Sequence, residues 1–500
     1  MTMSIRRYVC FTSPPAPSRA AGVSVAIALA LLASLPGCTV GPDYRGAPSV
    51  ASDAGNASAF VRTPASGVSH TPAASTWWRA LGDAELDTLI EAAFAHNPDV
   101  DAAKARLRQA RAQLNRSEAD LLPKSSATVA ALRTREPNLS ALTGSRSGSS
   151  GGGPIQLYAA SLDASWELDL FGGTRRAIEA ASADADAVDA DLADTQVSLA
   201  AEVAQAYVDL RDRQARLGLA TDTAALQQRM LELTEDRRAH GTAADVDVER
   251  LRGQVETTRA TIVPLEAGIA DALDRLAVLT GRAPGALDGE LSAPKPLPAV
   301  PATVAVGDPA AMLRRRPDIR AAERRLASSN AQIGEHVADY FPKLTLFGDL
   351  GFTAAQPAHL FRKTNFSWLG VPYLQWNVLD FGRTAANVRG AEASRDEARA
   401  RYAHTVLAAL QDANSALSQY GHQREHLVRL EAVERSADRA STLEQQRYRA
   451  GVSTLIDLLD TQRTQFSAQQ DVVAGRAELL KDFVLLHKSL GLGWEAQSAQ

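Results

Sequence analysis

The sequence predicts a duplicated, mainly helical fold in which each half joins a hairpin of strands to a hairpin of very long helices. Three observations predict it. Residues 98–124 align without a gap on 317–343 at an offset of 219 and are identical at twelve of 27 positions. Farther on the match resumes at an offset of 210. It pairs Trp166 with Trp376, Phe171 with Phe381, Gly241 with Gly451 and Gly281 with Gly491, so half one carries nine extra residues between Lys124 and Trp166. Finally, 172–240 and 382–450 are each 69 residues without a proline, room for rods of roughly 100 Å at 1.5 Å per residue. A unit this long is a half-molecule, not a solenoid repeat.

Arg6, Arg7 and Arg19 precede an apolar stretch from Ala20 to Leu35 that ends in Leu35-Pro36-Gly37-Cys38. A charged start, a short apolar core and a small residue before the cut describe a secretory signal. The cysteine after Gly37 makes residues 1–37 resemble a bacterial lipoprotein signal, with Cys38 lipidated as the first mature residue. Residue 39 is Thr, not the Asp that favours retention of such lipoproteins at the inner membrane, which points to the outer membrane.

Residues 38–80, rich in Pro, Ser, Ala and Gly, read as an extended lead, and Trp77-Trp78 open the first helix pair. The first repeat runs over 81–281. It has a helix break at Asn97-Pro98, because the residue before proline avoids the helical region. Its strand hairpin covers about 124–170, and its long helix hairpin has a tip near 241. A linker over 282–309, holding six prolines, leads to the second repeat at 310–491. There the strand hairpin covers about 343–380 and the tip lies near 451; residues 492–500 form a tail. Glycine at each tip suits a tight helix-to-helix turn. Val406, Leu410, Ala413, Leu417 and Tyr420 step 4-3-4-3, the coiled-coil seam pattern, and their repeat partners include Val203, Tyr207 and Leu210. Rods of this length persist in water only by packing on each other.

In the first strand hairpin, Tyr158, Ala160, Leu162, Ala164, Trp166 and Leu168 alternate with Ser161, Asp163, Ser165 and Glu167. In a soluble sandwich such alternation is core-in and solvent-out; in a membrane barrel it is lipid-out and lumen-in, with aromatics at the interfaces. Half two repeats it with Leu344, Leu346, Leu350 and Phe352, then Trp368, Leu374, Trp376 and Val378. Ten of the 27 aromatic residues lie in 340–381, which favours the membrane reading. Gly144–Pro154 reads as a flexible outer loop. After the signal no apolar run reaches 18 residues, so a membrane crossing requires a closed β-barrel. Four strands cannot close one, since eight is about the minimum. The chain must then be an oligomer in which each copy supplies a stave.

A formal charge of −5 without a basic patch excludes nucleic acid as a partner. One cysteine remains after removal of the signal, so no internal disulfide forms. His422-Gln-Arg-Glu425-His426 fits the H-x-x-E-H zinc-protease pattern. A catalytic zinc needs a third ligand and a cleft, whereas this segment lies mid-way along a rod, and its repeat partners are Asp212 and Arg216. No nucleotide-binding glycine loop or nucleophile elbow is present in the sequence, no cofactor is implied, and an enzyme is not expected.

The chain resembles the TolC-type outer membrane factors, specifically their NodT-like lipoprotein branch serving multidrug efflux. The resemblance rests on Cys38-Thr-Val-Gly-Pro-Asp-Tyr44, Arg315-Arg-Pro-Asp-Ile-Arg-Ala-Ala-Glu323, Arg447-Tyr-Arg-Ala-Gly451 and Asp457-Leu-Leu-Asp460, and covers essentially the whole mature chain. It implies a homotrimer with a 12-stranded barrel in the outer membrane and an α-barrel tunnel through the periplasm. It also implies two partners: a periplasmic adaptor docking at the tips, around Gly241, Arg447 and Gly451, and an inner-membrane transporter of the RND type.

The resemblance further places a closed periplasmic mouth just past the tip turns. Asp457 and Asp460 after Gly451, and Asp247 after Gly241, fit one version of the family pattern; Ile456, Asp460 and Arg463 fit another. Arg463, Arg447 and Arg449 are the cations available to offset crowded carboxylates, whose pKa values crowding would raise. Two rivals stand beside the efflux duct: the outer-membrane duct of a type I protein secretion system, and a periplasmic coiled-coil scaffold lipoprotein.

Overall fold

The computed structural model describes residues 39–52, 57–134 and 155–494. The expected signal at 1–37, the expected lipidation position Cys38, the expected loop at 144–154 and the end of the expected tail at 495–500 lie outside the described residues. In chain order the first half contains β1 (Val68–Ser69), α1 (Ala84–His96), α2 (Pro98–Ala119), β2 (Lys124–Thr134), β3 (Ile155–Leu168), α3 (Gly173–Ala239) and α4 (Asp245–Leu279). The linker contributes α5 (Asp288–Leu291) and β4 (Val304–Ala305). Half two holds α6 (Pro309–Arg315), α7 (Pro317–Ala338), β5 (Lys343–Ala354), β6 (Phe366–Gln375), α8 (Arg383–Arg449) and α9 (Leu455–Ser489). Among the described residues no helix is long and apolar enough to cross a membrane.

The chain divides into two compact units. One comprises 39–42, 118–177 and 331–389; the other comprises 43–117, 178–330 and 390–494. The first unit is built on an antiparallel sheet in the order β2-β3-β5-β6. Lys124 stands opposite Ser165 in the first hairpin and Lys343 opposite Gln375 in the second. Those are repeat partners under the two offsets, so the duplication holds to the residue. Trp166 Nε1 donates to the Leu121 carbonyl at 2.8 Å, and Trp376 Nε1 makes the same bond to Tyr340 at 3.0 Å. Leu162, Leu350, Trp368 and Leu374 on one face remain exposed. On the other face Asp163 stands directly opposite Asp349 and accepts from Thr128 Oγ1 at 3.2 Å.

In the second unit the long helices pack as their seam predicts. Val406, Leu410, Ala413, Leu417 and Tyr420 are buried, as are Val203, Tyr207 and Leu210, in one core with Leu276 of α4 and Phe483 of α9. Two extended segments are fastened to this core. The lead lies along α8: Arg62 N donates to Asn414 Oδ1 at 3.1 Å, and Arg424 Nη1 donates to the Ser66 carbonyl at 2.8 Å. The linker lies along α3, where Arg211 holds the Ala293 carbonyl at 2.9 Å and Gln214 that of Leu291 at 2.8 Å. β1 and β4 then join the two segments as a short parallel pair.

Three details go beyond the sequence reading. Trp77–Leu81 form a 3-10 turn ahead of the first α-helix, which Asp83 caps by accepting from the Glu85 and Leu86 amides. The proline-rich linker is not featureless, since it supplies α5 and β4. Pro264 lies inside α4 on an exposed position, where it removes one helix hydrogen bond.

Candidate functional site

The residues singled out at the two tips gather around two turns of the same construction. Gly241 has φ 75° and Gly451 φ 71°, a left-handed conformation that glycine adopts without a Cβ clash. The Gly241 amide donates to Arg238 O at 2.8 Å and the Thr242 amide to Arg237 O at 2.9 Å. Gly451 and Val452 repeat both bonds, to Tyr448 and Arg447, at 3.0 Å each. Paired bonds of this kind terminate a helix as a Schellman motif.

Just past the turns the halves diverge. Thr454 caps α9 with a full capping box: Asp457 Oδ2 accepts from the Thr454 hydroxyl at 2.7 Å and its amide at 3.2 Å. These bonds hold the Asp457 carboxyl below the usual carboxylate range, the Thr454 hydroxyl first and its amide next. In half one the cap is Ala244, with no side-chain bond, and Asp247 has only a loose approach to Arg250 at 3.9 Å.

Leu455 and Leu458 turn inward and join Leu231, Val248, Leu251 and Val255 in a small apolar cluster that binds the two tips of one chain together. Burying that face leaves Ile456, Asp460 and Arg463, spaced i, i+4, i+7, on one exposed stripe of α9, with Asp457 beside it. Arg463 Nη2 donates to Asp460 Oδ1 at 2.9 Å. Arg447 hydrogen-bonds Glu444, one turn back on its own helix, at 3.1 Å, instead of Asp457 or Asp460. Within one chain, then, crowding does not raise the Asp457 pKa; a local cap lowers it.

Three features of the second unit went unread in the sequence. Arg211 is fully buried against Glu85 and the Tyr207 ring, 4.9 Å away, and donates to Gln214 Oε1 at 2.7 Å. Asp482 is pushed up to about 6 by burial and the nearby Glu478 charge. His487, wholly buried against Trp77 and Phe483, is driven down to about 4, chiefly by burial. The docked lead did leave a sign: Gly421, an isolated glycine in mid-helix, marks a close approach, and a Cβ there would meet Pro64 Cγ at 2.8 Å. His422 Nδ1 bonds the Ser418 carbonyl at 2.7 Å, and among the described residues no group of three His, Cys, Asp or Glu is placed to hold a metal ion.

The profile of the outer membrane efflux protein family matches this sequence at residues 89–282 and 309–492, one stretch in each half. The chain belongs to the outer membrane efflux protein family. This efflux channel is 34% identical over 425 residues to the pyoverdine export outer membrane protein OpmQ of Pseudomonas aeruginosa, covering 84% of this chain and 88% of OpmQ. It is 31% identical over 468 residues to the antibiotic efflux pump outer membrane protein ArpC of Pseudomonas putida, covering 93% and 95%. Among solved structures it resembles the outer-membrane channel OprN, with a TM-score of 0.82 at 36% identity over 91% of this chain and 100% of that one. The protein is an outer-membrane channel of an efflux system, and its family is one of channels rather than enzymes.

Proposed function

We propose that three copies of this chain close a twelve-stranded barrel and form a passive duct for small molecules. Cys38 carries a lipid anchor, a periplasmic adaptor docks at the tips around Gly241, Arg447 and Gly451, and an RND-type inner-membrane transporter supplies the cargo. The observation that supports this reading best is the sheet itself. β2 and β6 are its edges in the single chain, and Val129, Leu162, Leu350, Trp368 and Leu374 stand exposed on one face of it. A sheet with open edges does not persist in a bilayer, because unpaired backbone groups there cost several kcal/mol each; a closed ring removes the edges. Relatives named for pyoverdine export and antibiotic efflux favour small-molecule cargo over secreted protein.

The stripe of Ile456, Asp460 and Arg463, with Asp457 and, in the other half, Asp247, forms the closed periplasmic mouth. Native mass measurement of the detergent-extracted protein is expected to give a trimer, and planar-bilayer recording is expected to give single-channel conductance. Asp457→Ala combined with Asp460→Ala should abolish block by polyvalent cations added from the periplasmic side, and Arg463→Ala should make the closed pore leakier. Conductance that stays blocked at unchanged cation concentration in the double variant would move the mouth elsewhere.

A further inference from the structure

The H-x-x-E-H segment of α8 plays no part in the duct, and the structure splits it between two cavities. Glu425 lines a groove of about 450 Å³ beside the docked lead, with Val61 and Pro64. His426 instead lines a second cavity of about 690 Å³, bounded by α3, α8 and α9, and His422 borders both. The protease pattern needs its carboxylate and both imidazoles at one site. Here the carboxylate is diverted, and the two imidazoles remain as a pair.

Their i, i+4 spacing puts them on one helical face with Cβ atoms about 5–6 Å apart. Half one demonstrates the reach of these positions, because the counterparts Asp212 and Arg216 meet there at 2.9 Å. A carboxylate and a guanidinium satisfy each other. In half two the same positions hold exposed imidazoles, whose ring nitrogens are open to a shared ligand. The His422 ring is already oriented: its Nδ1 lies 2.7 Å from the Ser418 carbonyl. A carbonyl can only accept, so Nδ1 carries the proton and Nε2 the lone pair. A ring N–H held by a backbone carbonyl is the common outer shell of a metal-ligating histidine. Charge in the cavity agrees. Asp209, Glu478 and Asp482 bring three carboxyl groups against one ammonium, Lys481, which bonds Asp209 at 2.6 Å.

We propose that His422 and His426 form a clip for a divalent transition-metal ion, Cu²⁺ above the others. Imidazole suits copper, nickel and zinc, and copper leads the affinity order and accepts a tetragonal plane of nitrogen and oxygen. Among the described residues no third His, Cys, Asp or Glu completes a group with the pair, so water fills the remaining positions. Zinc sites take three or four protein ligands, which disfavours zinc. The carboxylates across the cavity offset the ion's charge and accept hydrogen bonds from its water.

Cupric chloride added to the full chain, purified in mild detergent without a histidine tag, tests the clip. Calorimetric titration is expected to give one tight site per chain, with Ni²⁺ and Zn²⁺ weaker. Electron paramagnetic resonance of the first equivalent is expected to show coupling to two nitrogens, a readout that needs no variant. His422→Gln and His426→Gln should each weaken binding by at least the roughly 10–100-fold that loss of an outer-shell partner costs. Both side chains are exposed, so copper-free melting of either variant should match wild type, which separates loss of the clip from loss of the fold. A tight site that survives the double variant, a single coupled nitrogen in wild type, or no tight copper site at all overturns the proposal.

Discussion

The two halves of this chain share a backbone plan but secure it by different chemistry. At the same level of the two long helices, Arg211 in half one corresponds to Gly421 in half two, and Gln214 to Arg424. Gln214 and Arg424 do the same task, each donating at 2.8 Å to a carbonyl of the extended segment beside it. Arg211 adds a buried charge that reaches Glu85 and the Ala293 carbonyl. Gly421 adds nothing but room, into which Pro64 descends. Duplication conserved the anchoring bond and left the neighbouring position free to diverge, one half toward electrostatics and the other toward close packing.

The largest effect should come from the electrostatic side. Arg211→Ala removes the fully buried partner of Glu85 and the donor to Gln214 Oε1, and truncating the buried member of such a pair costs up to about 3–5 kcal/mol. Denaturant unfolding of the assembled protein should register it, and a loss under about 1 kcal/mol would mean that Lys295, which also bonds Glu85, suffices alone.

Acid should weaken half two by nearly as much. His487 corresponds to Ala277 in half one and titrates near 4 when folded against about 6.5 when unfolded. Its neutral form is the one that fits, so stability is intact above about pH 6.5. Stability then declines as pH falls toward 4, by about 3 kcal/mol per chain in full. Asp482 works in the opposite sense, since its raised pKa makes the folded state take up a proton first as pH falls through about 6. Unfolding measured across pH 4–7 should show His487→Gln flattening the decline and Asp482→Asn steepening it.

Gly421→Val tests the packing side. Forcing a side chain against Pro64 should cost about 1–3 kcal/mol and free the lead, visible as protease cleavage near residues 60–67 that wild type resists. The smallest effects belong to the tips. Thr454→Ala should lose about 1 kcal/mol and Ala244→Thr should gain a similar amount, making the two tips alike. Because its folded pKa is depressed, Asp457 supports its cap above the ordinary carboxylate range and loses that support as pH falls through its lowered value. The Thr454 variant should therefore show a smaller acid loss in thermal melts.

Sequence patterning revealed whatever repeats locally or recurs at a fixed offset. The 4-3-4-3 seam through Tyr420, the period-two face of β3 and the tip glycines each write their geometry into neighbouring residues. β1 and β4 do not: two residues long, they are held by partners 236 positions away, Val68 with Val304, and carry no period. Arg211 was equally silent, since a charged residue in a helix normally reads as solvated and its burial depends on the distant Ala293 carbonyl. Past the second tip, Ile456, Asp460 and Arg463 were singled out only by the family resemblance, while the inward turn of Leu455 and Leu458 became apparent only with the other hairpin beside it.

The docked lead also sets an order of events. Arg62 waits for Asn414, 352 positions later, and Ser66 for Arg424, 358 positions later. Segments near the beginning of synthesis are thus among the last to be secured, and contacts of such separation form slowly because loop closure precedes their reward. Until α8 exists, residues 60–67 are a free end, open to proteases and chaperones. The lead's docking therefore serves as a timestamp on a completed chain, recorded near its beginning.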